Sequence, residues 1–372
     1  INNTAYDEPL EDFVIREKEV LNTIFQFPAY KAPGPSGVIN AAIEVLGHQL
    51  APIITNSVNA SLRLGHYPSG WKHSMTVVIR KPGKPDYTVP KAYRPIALEE
   101  ALSSVCEAVL SCKLSQLAEN ANLLPQMQFG ARSGRTTTDA ILSLTKWTRE
   151  VRGKTSIYGV TNLGRVSERL ESKGEPSTKS PPFSILTSLK PSLTSTQYDY
   201  ATICDVEECR QTSMVNLISN FLEDRTTRLV FDDHKSDTFE ASNGFSQGSA
   251  LSPLLYNFYT ADLLDIAGPS PPRGRPRALV CAFVNDTSLA VSSPSFKENV
   301  EMLEALAPRA VTWGQQHTSQ FDPNKFTLVH ILTKQAAKTK PDQTLPVKVG
   351  DVTIKPVESA RLLGVTIDRH LD

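Results

Sequence analysis

Four residues, Phe283-Val284-Asn285-Asp286, stand between two apolar runs, Ala278-Leu279-Val280-Cys281-Ala282 and Thr287-Ser288-Leu289-Ala290-Val291. The pattern predicts strand, tight turn, strand, with an acidic residue at the tip. Few short segments constrain a chain so strongly. Asn-Asp dipeptides are also ordinary turn formers, so the hairpin by itself assigns no chemistry. What it means depends on the segments around it.

The chain has 372 residues, enough for two or three subdomains with real cores. It has no apolar run near the ~20 residues that span a bilayer and opens without a basic-then-apolar leader. An intracellular protein, nuclear or cytoplasmic and not secreted, is expected. The first residue is Ile1 rather than Met, as in a piece of a longer polyprotein or a partial gene. Lys+Arg and Asp+Glu are both 39, which argues weakly against a dedicated nucleic-acid binder. Basic residues nevertheless cluster at Arg80-Lys81-Pro82-Gly83-Lys84 with Lys91 and Arg94, and at Arg132-Ser133-Gly134-Arg135. The five cysteines lack paired metal-ligand spacing and suggest reduced thiols.

Along the chain, Ile43, Leu46, Leu50, Ile53, Ile54, Val58 and Leu62 predict a helix over 41–64, stopped by Gly65. A strand is expected at 75–79, with further helices over 101–119, from 137 to about 149, from 214, and over 297–316. Residues 150–196 are rich in Ser, Thr, Lys, Gly and Pro without sustained period and read as a loop or disordered insert. Past 326 short strands alternate with turns. Strands and helices mix without a βαβ rhythm, so the fold class is α+β.

Several segments carry a more specific signal by their order. They are Lys31-Ala32-Pro33-Gly34-Pro35-Ser36-Gly37; Trp71-Lys72 through Arg80-Lys81-Pro82-Gly83-Lys84-Pro85; Tyr93-Arg94-Pro95-Ile96-Ala97-Leu98; and Leu124-Pro125-Gln126-Met127-Gln128-Phe129-Gly130 followed by Arg132 to Thr137. Then come Phe221-Leu222-Glu223-Asp224-Arg225, Gly244-Phe245-Ser246-Gln247-Gly248-Ser249-Ala250-Leu251-Ser252-Pro253, the hairpin, Phe321-Asp322-Pro323-Asn324-Lys325-Phe326, and Arg361-Leu362-Leu363-Gly364-Val365. Together they resemble the reverse transcriptases of non-LTR retrotransposons over nearly the whole chain except 150–200. A group II intron maturase, a non-catalytic polymerase remnant that binds nucleic acid or has no function, and an unrelated α+β domain are the rival readings.

The resemblance implies RNA-directed DNA synthesis from deoxynucleoside triphosphates on an RNA template with a DNA primer, with no membrane partner. It implies a right-hand polymerase: fingers and palm, the palm an antiparallel sheet with helices on one face. The implied boundaries are a lead-in over 1–30, fingers over 31–150, a degenerate insert over 151–200, palm over 201–345, and the start of a primer-holding and thumb region over 346–372. Two Mg²⁺ ions about 3.5–4 Å apart would clamp the attacking and leaving oxygens, held by hard anionic oxygens. Asn285 and Asp286 stand at the metal-binding and catalytic positions, and Lys325 matches a possible general acid or is a surface lysine. Lys84 and Arg94 match cations that grip the triphosphate, or are solvated loop cations. Gln247 and Gly248 match the turn beneath the incoming nucleotide, or form a plain turn and helix cap. Arg132 and Arg135 are assigned to template and primer. Leu363 and Gly364 match the primer-holding hairpin, or a core strand with a bend.

The pattern departs from the family in three places. Asn285 replaces the metal-holding aspartate; its amide oxygen can coordinate but the charge is gone. Val284 replaces alanine, and a branched residue crowds a tight turn. The earlier Asp-bearing motif is missing from 183–200, which a shifted reading frame would explain; Asp205 is a rival for the lost carboxylate but sits too close to the Phe221 helix for the family's usual spacing. An inactive copy, with doubtful metal binding, is expected.

Overall fold

The computed structural model describes residues 14–151, 157–168, 212–241, 244–269, 276–317, 319–321, 325–332 and 344–371. The helices are α1 (Glu17–Gln26), α2 (Asn40–Val45), α3 (Gly47–Leu64), α4 (Ala101–Asn120), α5 (Thr137–Val151), α6 (Thr212–Leu222), α7 (Ser252–Tyr259) and α8 (Phe296–Gln316). The first seven strands are β1 (His73–Arg80), β2 (Tyr93–Leu98), β3 (Ile157–Glu168), β4 (Thr226–Phe231), β5 (His234–Glu240), β6 (Arg277–Phe283) and β7 (Asp286–Ser293). Then follow β8 (Ser319–Phe321), β9 (Thr327–Ile331), β10 (Val347–Val349), β11 (Val352–Ile354), β12 (Ser359–Leu362) and β13 (Val365–Asp368). Helix and sheet are mixed, as the α+β reading expected. Among the described residues no helix is long and apolar enough to cross a membrane.

The chain divides into two compact units, one formed by Ile1–Leu123 and Leu170–Leu255, the other by Leu124–Arg169 and Tyr256–Asp372. In the first, a four-stranded sheet runs β2-β1-β4-β5. β1 is antiparallel to β2 and parallel to β4. Helix α3 turns Ala51, Ile54, Val58 and Leu62 inward. That three-and-four spacing puts them on one stripe, and α1 packs against α3 through Val20 and Ile24. Gly65 ends α3 as its spacing predicted, in the left-handed conformation with φ 59°. Its neighbour His66 donates its N–H back to the Ser61 carbonyl at 3.0 Å, a cap that glycine takes without steric cost.

The second unit is built on a five-stranded sheet of order β6-β7-β3-β8, with β9 also paired to β3. Every one of these ladders is antiparallel. Alternation along β6 and β7 sorts the side chains by face. Val280, Ala282, Leu289 and Val291 pack with Leu303, Ala307, Ala310 and Trp313 of α8. Cys281 and Ala290 point to the other face, against Leu144 of α5 and Leu362 and Ile367 of the β12–β13 hairpin. Helices therefore cover both faces, which corrects the expectation of helices on one face only. Full burial of each aliphatic side chain contributes about 1.5–3 kcal/mol.

Strand β3 is a second correction, because it lies inside the stretch expected to be a loop. Its composition hides it: Gly159, Asn162 and Gly164 interrupt Ile157, Tyr158, Val160, Thr161 and Val166. Partners on both edges supply the missing signal, with β7 on one side and β8 and β9 on the other. Strand propensity depends on such context more than helix propensity does. The ladder to β7 is irregular between Asn162 and Gly164. The positions where the earlier Asp motif was sought, 183–200, and Asp205 lie outside the described residues.

Candidate active site

The hairpin forms as its sequence predicts. Phe283 pairs with Asp286, which leaves Val284-Asn285 as a two-residue turn. Val284 has φ +53° while Asn285 has no positive φ, the sign pattern of a II′ turn, whose first position favours glycine. A β-branched residue there is strained. A buried amide holds it in place. Gln128, 1% exposed, accepts the Val284 N–H on Oε1 at 3.0 Å and donates from Nε2 to the Val284 carbonyl at 3.3 Å.

The segment bearing Gln128 is itself laid along β6. Ala282 donates to the Met127 carbonyl and Phe129 to the Ala282 carbonyl, each at 2.9 Å. Gly130 is obligatory here: a Cβ would lie 2.4 Å from both the Val284 amide nitrogen and its Cγ2. The Asn257 amide donates to the Gly130 carbonyl at 2.7 Å. Arg132 is buried and donates to the Pro125 carbonyl at 2.6 Å. Arg135 donates to the Gln126 and Gln128 carbonyls and lies over the Phe129 ring. Both arginines thus order the segment that clasps the hairpin. Burial raises the Cys281 thiol to about 12, so this thiol is inert packing.

Asp286 and Lys325 come to the same end of the sheet. Asp286 pairs with Arg165 of β3, and Thr327, two residues after Lys325, pairs with Asn162 on the opposite edge of β3. Strands β7 and β9 are two spacings apart, about 10 Å. Lys325 is exposed; Asp322 and Asn324 of its segment lie outside the described residues. Leu363 and Gly364 form the turn of the β12–β13 hairpin with φ +49° and +90°. This is a tight turn, not a bend within one core strand.

In the other unit the Arg94 position and the Gln247–Gly248 turn lie along β2, and Lys84 does not. Arg94 is exposed on β2, and Lys84 is exposed in the β1–β2 connection. Strand β2 is an edge, and the Ala97 N–H on it donates to the Gln247 carbonyl at 2.9 Å. Gly248 has φ +151°, and a Cβ on it would sit 2.1 Å from the Ala97 carbonyl oxygen. The turn of Gln247 and Gly248 therefore lies flush on the strand that carries Arg94. Gly34 approaches the Glu99 carbonyl as closely, at 2.3 Å for an added Cβ, and Ser36 bonds Glu100 through its amide and hydroxyl.

Sequence reasoning passed over the buried polar cluster beneath this turn. Glu107 receives hydroxyls from Tyr67 at 3.0 Å, Ser103 at 3.2 Å, and Ser249. Close by, Arg225 donates to Glu99 at 2.7 Å and lies over the Phe221 ring. Burial, and then the neighbouring Glu107, push Glu99 well above the usual carboxylate range; Arg225 pulls the other way without prevailing. Burial also raises Tyr67, with Glu107 adding to it. The available signal was a glutamate on the apolar face of α4, between Val105 and Val109.

A family model described as Reverse transcriptase (RNA-dependent DNA polymerase) matches residues 79–367. The chain belongs to the reverse transcriptase family. It is 26% identical over 371 residues to a probable RNA-directed DNA polymerase from transposon BS of Drosophila melanogaster, covering 96% of this chain and 36% of that relative. A probable RNA-directed DNA polymerase from transposon X-element of the same fly is 26% identical over 370 residues, covering 95% and 35%. The RNA-directed DNA polymerase from mobile element jockey is 22% identical over 354 residues, covering 95% and 35%. The chain thus spans about a third of the length of these relatives.

The family uses divalent metal ions, and the hairpin's donor set does not fit a pair of them. Among the described residues no three His, Cys, Asp or Glu side chains gather to hold a metal. Asp286 stands beside neutral Asn285, and its partner position on β3 is Arg165. The one acid in β3 is Glu168, three residues further on, about 10 Å along a strand.

Proposed function

We propose that this chain is the polymerase segment of a non-LTR retrotransposon reverse transcriptase, keeping the framework that binds nucleotide, template and primer but not catalysing templated DNA synthesis. In this reading residues 31–150 serve as fingers and residues 201–345 as palm. Arg94 and Lys84 grip the triphosphate, Arg94 as a fork and Lys84 as a point charge. Gln247 and Gly248 seat the incoming nucleotide, where the glycine allows close backbone approach. Leu363 and Gly364 hold the primer end. Arg132 and Arg135 serve template and primer by ordering the segment that clasps the hairpin. Lys325, at the hairpin end of the sheet, is the candidate acid toward the leaving group.

One observation carries the inactive reading: the β3 position paired with Asp286 is Arg165. Phosphoryl transfer rests on positioning and charge stabilisation, and an arginine at this position supplies no carboxylate to a metal. The RNA-directed DNA polymerases from fly transposons among its relatives favour the retrotransposon reading over an intron maturase. Primer extension on an RNA template with Mg²⁺ tests the proposal. Extension at background together with retained binding of primed template is expected. Processive synthesis by the unaltered chain overturns it.

A further inference from the structure

Beneath the Gln247–Gly248 turn lies a buried device that the nucleotide reading leaves unused. Ser249 follows the turn directly. Its hydroxyl accepts the N–H groups of Leu251 and Ser252 at 3.2 Å each, which caps the start of α7. The same hydroxyl donates to Oε2 of Glu107, so its donor and both acceptor sites are engaged. The Tyr67 and Ser103 hydroxyls both lie within hydrogen-bond reach of Oε1 of Glu107, at 3.0 Å and 3.2 Å, and of each other, at 2.8 Å; with one proton each, they donate two of these three contacts at a time. Glu107 and Ser103 are fully buried, and Tyr67 nearly so. The carboxylate thus joins three elements: the segment after α3, helix α4 and the turn. On the turn's other side stands β2, through the bond between Ala97 and Gln247.

A buried carboxylate is costly unless it is fully hydrogen-bonded. Packing alone would be served by an apolar residue at this place in α4, whose neighbours Val105, Val109 and Leu110 are apolar and buried. A carboxylate at the centre of three hydroxyls fixes direction, which an apolar contact does not. We propose that Glu107 is the positioning residue of the nucleotide-seating turn, locking Gln247 and Gly248 against β2 through the Ser249 hydroxyl. The inference rests on the assignment of that turn to nucleotide binding. Glu107 touches no nucleotide in it and acts through Ser249 alone.

Two measurements on the full chain separate the brace from the nucleotide reading. The first is hydrogen exchange of amides in 245–252, read without nucleotide. Ser249→Ala and Glu107→Gln should speed exchange there on the order of ten- to a hundred-fold, the loss of a hydrogen bond to a charged group. Ser249→Thr, which keeps the hydroxyl, should restore the wild-type rate. Amides of α3 should not change in any variant, which general loosening of the unit would not spare. The second is binding of a fluorescent deoxynucleoside triphosphate with Mg²⁺. Affinity should fall about tenfold in Ser249→Ala and recover in Ser249→Thr. Unchanged exchange in 245–252 overturns the brace, and faster exchange with unchanged affinity overturns its positioning role. Faster exchange in a chain whose wild type binds no nucleotide overturns the nucleotide assignment and leaves the brace standing. Should Glu107→Gln fail to fold, the Ala and Thr pair at Ser249 decides.

Discussion

The side-chain amide of Gln128 bonds both backbone groups of Val284, at 3.0 Å and 3.3 Å, across 156 residues of sequence. A residue in a sparsely populated conformation persists only where its surroundings over-determine it. Here one buried amide does so. Gln128→Ala leaves both groups of Val284 without that partner and should destabilise the second unit by about 2–3 kcal/mol. Val284→Gly removes a side chain from a positive-φ position and should stabilise by roughly 1 kcal/mol. Urea unfolding followed through Trp313, buried in that unit, measures both. A neutral Gln128→Ala would mean the clasp is incidental.

Gly248 makes a sharper prediction. A methyl group there would meet the Ala97 carbonyl oxygen at 2.1 Å, on a backbone with φ +151°. Neither partner is a flexible side-chain tip, so the turn must leave β2. Gly248→Ala should cost about 1–3 kcal/mol and break the bond between Ala97 and Gln247. The amide of Ala97 would then exchange faster than in wild type. Exchange at wild-type rate would show that the turn does not rest on the strand.

Glu99 predicts a pH dependence. Burial first, and then Glu107, raise its pKa in the fold above the 4.5 of a free glutamate. Its protonated form is therefore favoured by folding. The stability this contributes is complete below 4.5 and is lost as pH rises through the folded value. Glu99→Gln keeps an acceptor for Arg225 and removes the titration. As pH rises above 4.5, denaturation midpoints should decline less in Glu99→Gln than in wild type. Parallel declines would exclude Glu99 as the source.

How much of this was legible depended on whether the signal was local. Gly65 could be read as a helix stop because a glycine cap acts within one turn. The turn at Val284 and Asn285 could be read because apolar runs flank it. Strand β3 could not: its residues lack a period, and pairing with β7, β8 and β9 came from more than a hundred residues away. Arg132 and Arg135 were legible as basic residues in a family segment, but their carbonyl partners were not. Glu107 was visible only as a charge on an apolar helix face, with nothing nearby in sequence to name Ser249 as its partner, 142 residues on.

The last prediction concerns rebuilding activity. In the proposed reading, anionic ligands are wanted at two places, Asn285 and the β3 position paired with Asp286, which is Arg165. Single electrostatic donors in active sites are worth about 2.7–4 kcal/mol, or ~10²–10³-fold in rate. Asn285→Asp alone should leave single-nucleotide primer extension at background, because Arg165 still stands at the paired position. Arg165→Asp alone should do no better, since Asn285 remains neutral. The double variant places carboxylates on adjacent strands at one end of the sheet. It should raise extension above either single variant by more than the product of their separate effects, as residues that act as a unit do. The Mg²⁺ dependence of the rate should appear in the double variant only. Full activity from Asn285→Asp alone would sink this account and point to a partner acid elsewhere in the chain.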